Sequence, residues 1–282
     1  MVKFSIQTPS QYILNLVLSN FGFLPVILTP ELMNIVLFEN SEINLPLSID
    51  DNRAKHIIQI LHKKEGEFFD AGIIGGKAGK AKILKIDETG LNFEFTEETD
   101  GKPLYPLSMI IGFPRPIQLK RLFRDMAGLG TESIHLTGTE LGEKSYMQSN
   151  IVEKGTAYNL FKEGTIQAKS THIPELILHQ NLSECVEKIL KTNYSEKTIL
   201  IALDNVQSKI SLTDFLDKFN KKLENYKIFA AIGSERGWTD KERNFLVQKG
   251  FTLCSMGTRV LRTETASTVA ASIILSKMGV LS

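Results

Sequence analysis

The sequence is poor in the residue types that staple small proteins or hold metals. Of its 282 residues two are cysteines, Cys185 and Cys254. They lie far apart, each inside an apolar run, so a disulfide framework is excluded and both read as buried thiols in a reducing, cytoplasmic compartment. The five histidines, His56, His62, His135, His172 and His179, show no ligand-type clustering with cysteine, and no metal site is expected. There is no Walker loop, no GxSxG elbow and no HExxH pair, which removes the P-loop nucleotidase, serine hydrolase and zincin readings. Charge is missing altogether from Phe4 to Pro30. That stretch is nonetheless expected to be neither a signal nor a membrane span. Only Lys3 precedes it as a cation, and Asn15, Asn20, Gly22 and Pro25 interrupt the roughly 20 apolar residues a spanning helix needs. Residues 1–32 are expected to be an N-terminal extension, with Met33 opening the folded protein and no membrane partner.

What is present is ordinary globular material, 42% hydrophobic and 23% charged, with length enough for two domains. The net charge of +1 is unevenly spread. Residues 33–105 hold nine Lys/Arg against 13 Asp/Glu, a balance of −4, and residues 106–282 hold 23 against 18, a balance of +5. The basic excess that a phosphate-facing surface needs therefore sits in the C-terminal part.

The two parts also differ in rhythm. Between 33 and 105 short strands are expected at 34–38, 67–70, 72–75, 78–86 and 91–96, with one helix at 51–62 carrying Ala54, Ile57, Ile58 and Leu61 at helical spacing. Strands this short and this closely spaced suggest a small β-barrel. From 107 onward strands alternate with helices. Strands are expected at 107–113, 132–136, 174–178, 198–203, 227–232 and 251–254. Helices are expected at 117–129, 152–167, 182–190, 211–223, 239–249 and 264–278. That alternation predicts an α/β domain around a mostly parallel sheet, with ligands beyond the carboxyl ends of its strands.

Three constellations can carry chemistry. The segment from Ile232 to Glu242 runs strand, glycine turn, helix, with Thr239 and Glu242 as a capping box. Gly233 and Gly237 permit close backbone approach, and the exposed N–H groups can face a ligand; a plain strand-to-helix turn has the same appearance. The segment from Ser255 to Ala266 precedes a long apolar helix, with Thr263 as its N-cap and Glu264 in its first turn. Arg259 and Arg262 stand at its mouth, either solvated or placed against phosphate or a developing charge. The segment from Pro114 to Arg124 holds Arg115, Lys120, Arg121 and Arg124 and no acid. With Leu119, Leu122, Phe123 and Met126 on one helical face, the basic residues project elsewhere, as a solvated face or a phosphate-contact strip. Lys77, Lys80, Lys82 and Lys85 offer a second such strip.

Taken together, the two C-terminal segments resemble the small-subunit (16S) ribosomal RNA methyltransferase E family of the SPOUT superfamily. The family's GPEGG motif reads Gly233-Ser-Glu-Arg-Gly237, and its LGxRILRTETA motif reads Met256-Gly-Thr-Arg-Val-Leu-Arg-Thr-Glu-Thr-Ala266. Ala54-Lys-His56, Ile60-Leu61, Gly66 and Asp70-Ala-Gly72 resemble the family's N-terminal opening, so the resemblance covers about 33–282. It implies a PUA-like β-barrel over 33–105 and a trefoil-knot α/β methyltransferase domain over 106–282. It also implies S-adenosyl-L-methionine as cofactor, a homodimer, and methylation of uracil N3 in 16S RNA of the small ribosomal subunit. On this resemblance Leu203, Gly233, Glu235, Gly237, Met256, Gly257, Val260 and Leu261 line the cofactor. Arg262, Thr263 and Glu264 sit nearest the chemistry, and Arg115, Lys120, Arg121, Arg124 and Arg259 meet RNA. The sequence departs from the family at Ser234 (usually Pro), Arg236 (usually Gly), Arg124–Gly130, Ser170 (usually Arg) and His62 (usually Arg). Two alternatives share the motifs: a paralogue that methylates another RNA nucleotide, and an inactive RNA-binding or ribosome-assembly protein.

Overall fold

The computed structural model describes residues 35–193, 195, 197–219 and 223–281. The expectations for 1–32, and for Met33 as the first folded residue, lie outside the described residues. Among those described, no helix is long and apolar enough to cross a membrane.

Strands β1 (Val36–Phe38), β2 (Leu47–Ser48), β3 (Phe68–Ile73), β4 (Ala78–Ile86) and β5 (Gly90–Thr99) form one sheet in the order β1-β3-β4-β5-β2. Only β1 and β3 run parallel. Alternation along β4 sends Ala81 and Ile83 inward and Lys80, Lys82 and Leu84 outward, as a pleated strand requires. The inward faces close on Phe38, Phe69 and Phe93, whose rings stand 5.0 and 5.8 Å apart. Two expectations change here. The two strands placed at 67–70 and 72–75 are one strand, β3. The helix placed at 51–62 is a single α turn, α1 (Asn52–Lys55), that widens into a π turn over His56–Ile60. The chain then leaves through His62 at φ 52°, a left-handed backbone that histidine tolerates better than most residues. The lysine strip is largely neutralised, with Lys77, Lys80 and Lys85 paired to Asp100, Asp70 and Asp87.

The second sheet is entirely parallel. Its strands are β6 (Tyr105–Gly112), β7 (Thr131–Thr137), β8 (Glu175–His179), β9 (Thr198–Leu203), β10 (Ile210–Ser211), β11 (Lys227–Ile232) and β12 (Thr252–Ser255), in the order β10-β12-β9-β11-β6-β7-β8. The helices are α2 (Pro116–Leu129), α3 (Lys154–Gln167), α4 (Leu182–Asn193), α5 (Leu212–Asp217), α6 (Asp240–Gln248) and α7 (Thr263–Lys277). Each central strand feeds two cores, because its side chains alternate. Leu107, Met109 and Ile111 of β6, with Ile228 and Ala230 of β11, pack on Phe123, Phe161 and Ile274 of α2, α3 and α7. Ile110, Phe229 and Ala231 pack on Cys185, Val186 and Leu246 of α4 and α6. The helix expected over 211–223 is shorter, because α5 stops at Asp217.

The segment Lys169–Thr171 binds the two sheets together. Lys169 pairs with Asp70 at 2.5 Å, the Gly75 N–H donates to Thr171 O, and Thr171 Oγ1 donates to Gly76 O. Ser170 donates from Oγ to Lys102 O at 3.0 Å.

Burial pushes the Cys185 thiol up to about 12 and the Cys254 thiol up to about 11, so both are inert at neutral pH. The absence of ligand spacing in the sequence misses one convergence: His135 of β7, His179 of β8 and Cys185 of α4 bring ligand-type atoms within 4.8 Å of one another. Within it His135 Nδ1 and His179 Nε2 lie 3.0 Å apart, and the rings stack. Burial, then the neighbouring His179, pushes His135 down to about 3; burial lowers His179 too. An unfolded histidine takes a proton near pH ~6.5, the folded pair does not, and stability is therefore complete above that pH and falls as pH drops toward 3. Urea denaturation should lose about 1.4 kcal/mol for each pH unit below ~6.5 from His135 alone. His135→Gln should flatten that slope, and a slope left unchanged would refute the assignment.

Candidate functional site

The strand order switches around β11, which sits between β9 and β6 although it follows β9 and β10 in sequence. Crevices beyond the carboxyl ends of strands at such a switch are where open α/β sheets bind ligands. The loops after β9, β11 and β12 meet there around a cavity of about 270 Å³.

The loop after β11 is pinned at every step. Gly237 takes φ 73° and its N–H donates to Ser234 O at 2.8 Å. A Cβ on Gly233 would lie 2.8 Å from the Gly237 carbonyl carbon, so only glycine fits. Trp238 is buried and donates from Nε1 to Leu203 O at 3.0 Å, which fastens this loop to the end of β9. The expected capping box is formed: Thr239 Oγ1 accepts from Glu242 N at 3.1 Å, and a Glu242 carboxylate oxygen accepts from Thr239 N at 2.9 Å.

The loop after β9 is held by a buried ion pair. Asp204 Oδ1 accepts from Arg243 Nε at 2.8 Å, with side-chain exposures of 3% and 9%. Asp204 Oδ2 accepts from the N–H groups of Val206 and Gln207. The loop after β12 turns through Gly257 at φ 97° and leaves Val260 87% exposed over the cavity mouth.

Of the eight residues expected at the cofactor, seven line this cavity: Leu203, Gly233, Glu235, Gly237, Met256, Val260 and Leu261. Gly257 does not, and acts as the turn. Arg259 and Thr263 line it as well. Thr263 is not the N-cap expected of it. Arg262 caps α7, and Thr263 is its first, buried residue, donating from Oγ1 to Gly233 O at 3.3 Å. That bond ties the two motif loops together. Arg262 is exposed and Glu264 is buried in the first turn of α7; neither lines the cavity. Asp204, Trp238 and Arg243 were not expected from the sequence. A single acid closing an apolar strand run at Leu203 was the available signal for Asp204.

The cavity suits a ligand with a polar edge held by backbone. Ser234 lines the cavity and is 7% exposed, and its hydroxyl is buried without a hydrogen-bond partner among the described residues. Arg115, at the N-terminus of α2, pairs with Glu235 at 3.2 Å on the rim, and the Glu235 carboxylate raises it further. The basic strip of α2 is exposed, with Arg121 paired to Asp125 and Arg124 to Glu163 of α3.

Comparisons with known proteins agree on one group. Residues 101–275 match the family model for the RNA methyltransferase domain. The chain is 39% identical over 251 residues to ribosomal RNA small subunit methyltransferase E of Treponema pallidum, covering 86% of this chain and 91% of that protein. It is 34% identical over 242 residues to ribosomal RNA small subunit methyltransferase E 1 of Borreliella burgdorferi, covering 86% and 97%. Among solved structures, ribosomal RNA small subunit methyltransferase E from Neisseria gonorrhoeae bound to S-adenosyl methionine superposes with a TM-score of 0.67 at 17% identity, covering 86% of this chain and 97% of that one.

Proposed function

We propose, on the premise that the chain belongs to the ribosomal RNA small subunit methyltransferase E family, that it transfers the methyl group of S-adenosyl-L-methionine to N3 of one uridine in 16S ribosomal RNA. The observation that carries this reading is the convergence of two motif loops, Gly233–Gly237 and Met256–Leu261, on one cavity at the switch in strand order. The residues present fit such a cofactor. Glycine backbone at Gly233 and Gly237 permits close approach, the buried Ser234 hydroxyl has a bond still to make, and Leu203, Met256 and Leu261 supply apolar walls. When bound, the cofactor brings an electrophilic methyl group.

The chain's own residues have the remaining tasks. Uracil N3–H must lose its proton, and the charge pushed onto O2 and O4 must be stabilised. Arg262 is the cationic stabiliser in this reading. Thr263 holds the loop carrying it against Gly233, and Glu264 serves as base or as the anion favoured in a first helical turn. Arg115, Lys120, Arg121, Arg124 and Arg259 contact RNA phosphate. The first sheet is a PUA-like RNA-binding barrel over 33–105, and 106–282 is the knotted SPOUT domain. Two chains pair so that Val260 and the loop carrying it are covered, and the protein works in the cytoplasm, where small subunits are assembled.

Calorimetric titration with S-adenosyl-L-methionine checks the first step. One equivalent should bind the wild-type chain and none should bind Gly233→Val, whose side chain would displace the Gly237 backbone. Equal binding by both would place the cofactor elsewhere.

A further inference from the structure

A second, larger cavity of about 500 Å³ lies at the carboxyl ends of β6, β7 and β8, within the range of ~300–1,000 Å³ that holds small organic groups. It adjoins the cavity described above at the end of β6. A Cβ on Gly112 would lie 2.5 Å from Ser234 N and 2.9 Å from Thr139 Cγ2, so the two walls meet over this glycine. Ser234 lines the first cavity and Thr139 the second. Arg115 pairs with Glu235 of the first wall and lies near Tyr146, one residue from Met147 in the second wall.

The second cavity has the chemistry of a ring-binding slot. Phe113, Phe245 and Met147 give it mainly apolar walls. Thr139 Oγ1 is buried with no hydrogen-bond partner among the described residues, and the exposed Gln180 brings an amide to the rim. Two of its carboxylates already have partners. Glu140 accepts from Lys241 at 2.7 Å and Thr239 at 2.8 Å, and Glu242 accepts from the N–H groups of Glu140 and Thr239. An aromatic ring with a hydrogen-bonding edge satisfies both the apolar walls and the orphan hydroxyl. Single-stranded RNA offers such rings, stacked on aromatic side chains and read at their edges. We propose that this cavity takes an unpaired nucleobase of the substrate RNA, next in the strand to the nucleotide being methylated. The inference rests on the reading that the chain methylates ribosomal RNA.

Two variants test it. Ser183 is exposed on the rim, and its hydroxyl bonds Glu187 at 3.2 Å, so Ser183→Trp fills the mouth from outside the core. Thr139→Val removes the orphan hydroxyl and keeps its shape. Steady-state methylation of small subunits lacking the modification should give a KM for subunits raised at least ~5-fold in Ser183→Trp, the smallest loss expected from removing one stacked base. Thr139→Val should raise it in the same direction. Both should keep the wild-type affinity for S-adenosyl-L-methionine and the wild-type melting temperature. Ultraviolet irradiation should crosslink subunit RNA to the peptides holding Phe113 or Phe245 in wild type and not in Ser183→Trp. Wild-type KM in both variants would overturn the cavity assignment and leave the methyltransferase reading standing. A wild-type protein that binds cofactor and methylates no RNA would overturn both.

Discussion

Arg262→Ala should lower kcat/KM for methylation by about 10²–10³-fold, the loss typical of removing one preorganised donor to a developing oxyanion. Arg262 caps α7 through its backbone, its carbonyl accepting from Ala266 N at 2.8 Å. Its guanidinium is exposed and has no ion pair among the described residues. The side chain therefore contributes little to folding, and an exposed substitution of this kind changes stability by within about 0.5 kcal/mol. It also lies outside the cavity lining, so cofactor affinity should survive the change. Uracil N3–H is a weak acid that stays protonated at neutral pH, and a fixed cation beside O2 or O4 lowers the cost of forming its anion. Arg262→Lys should recover part of the rate, since it keeps the charge and loses the planar fork. Parallel loss of cofactor binding and methylation in Arg262→Ala would make Arg262 a cofactor residue instead.

Asp204→Ala should cost about 3–5 kcal/mol of stability, the range for removing one partner of a buried ion pair. The pair is nearly inaccessible, at 3% and 9% side-chain exposure. Without Asp204 the Arg243 guanidinium keeps only the exposed Asp240, bonded at 2.9 Å, and the N–H groups of Val206 and Gln207 lose their acceptor. Urea or thermal denaturation should show the loss, as a fall in melting temperature of roughly 10 °C. The effect should also reach the site, because Asp204 and Trp238 together hold the β9 and β11 loops in register. The Asp204→Leu/Arg243→Met double variant should be more stable than Asp204→Ala, because it buries no unpaired charge. A loss under about 1 kcal/mol in Asp204→Ala would mean that water enters and solvates the arginine.

Local signals in the sequence were readable where their cause is local. The Thr239 and Glu242 capping box is formed as the spacing requires. Phe123 and Met126 face the core and Arg121 and Arg124 face solvent, because helical periodicity sorts them. Buried thiols at Cys185 and Cys254 follow from their apolar surroundings. What depends on pairing between distant segments was not readable. Nothing in β11 says that it inserts between β9 and β6, since both neighbours accept the same apolar alternation. The Asp204–Arg243 pair joins residues 39 apart in sequence, and the contact of His135 with His179 joins residues 44 apart. Thr263 looks like a helix cap by residue type, yet its hydroxyl turns to Gly233 O because the β11 loop packs there. The π turn over His56–Ile60 similarly overrides helical spacing that reads as plain α. For the site, the two glycine-containing loops were legible as motifs, and the acid–base tie beneath them was not.

The most direct test of the account is nucleoside analysis of small ribosomal subunits from cells lacking the gene, after incubation with the pure protein and labelled S-adenosyl-L-methionine. Label recovered on N3 of a single uridine of 16S RNA is the predicted result. Label on another nucleotide, or none with cofactor bound, would contradict it.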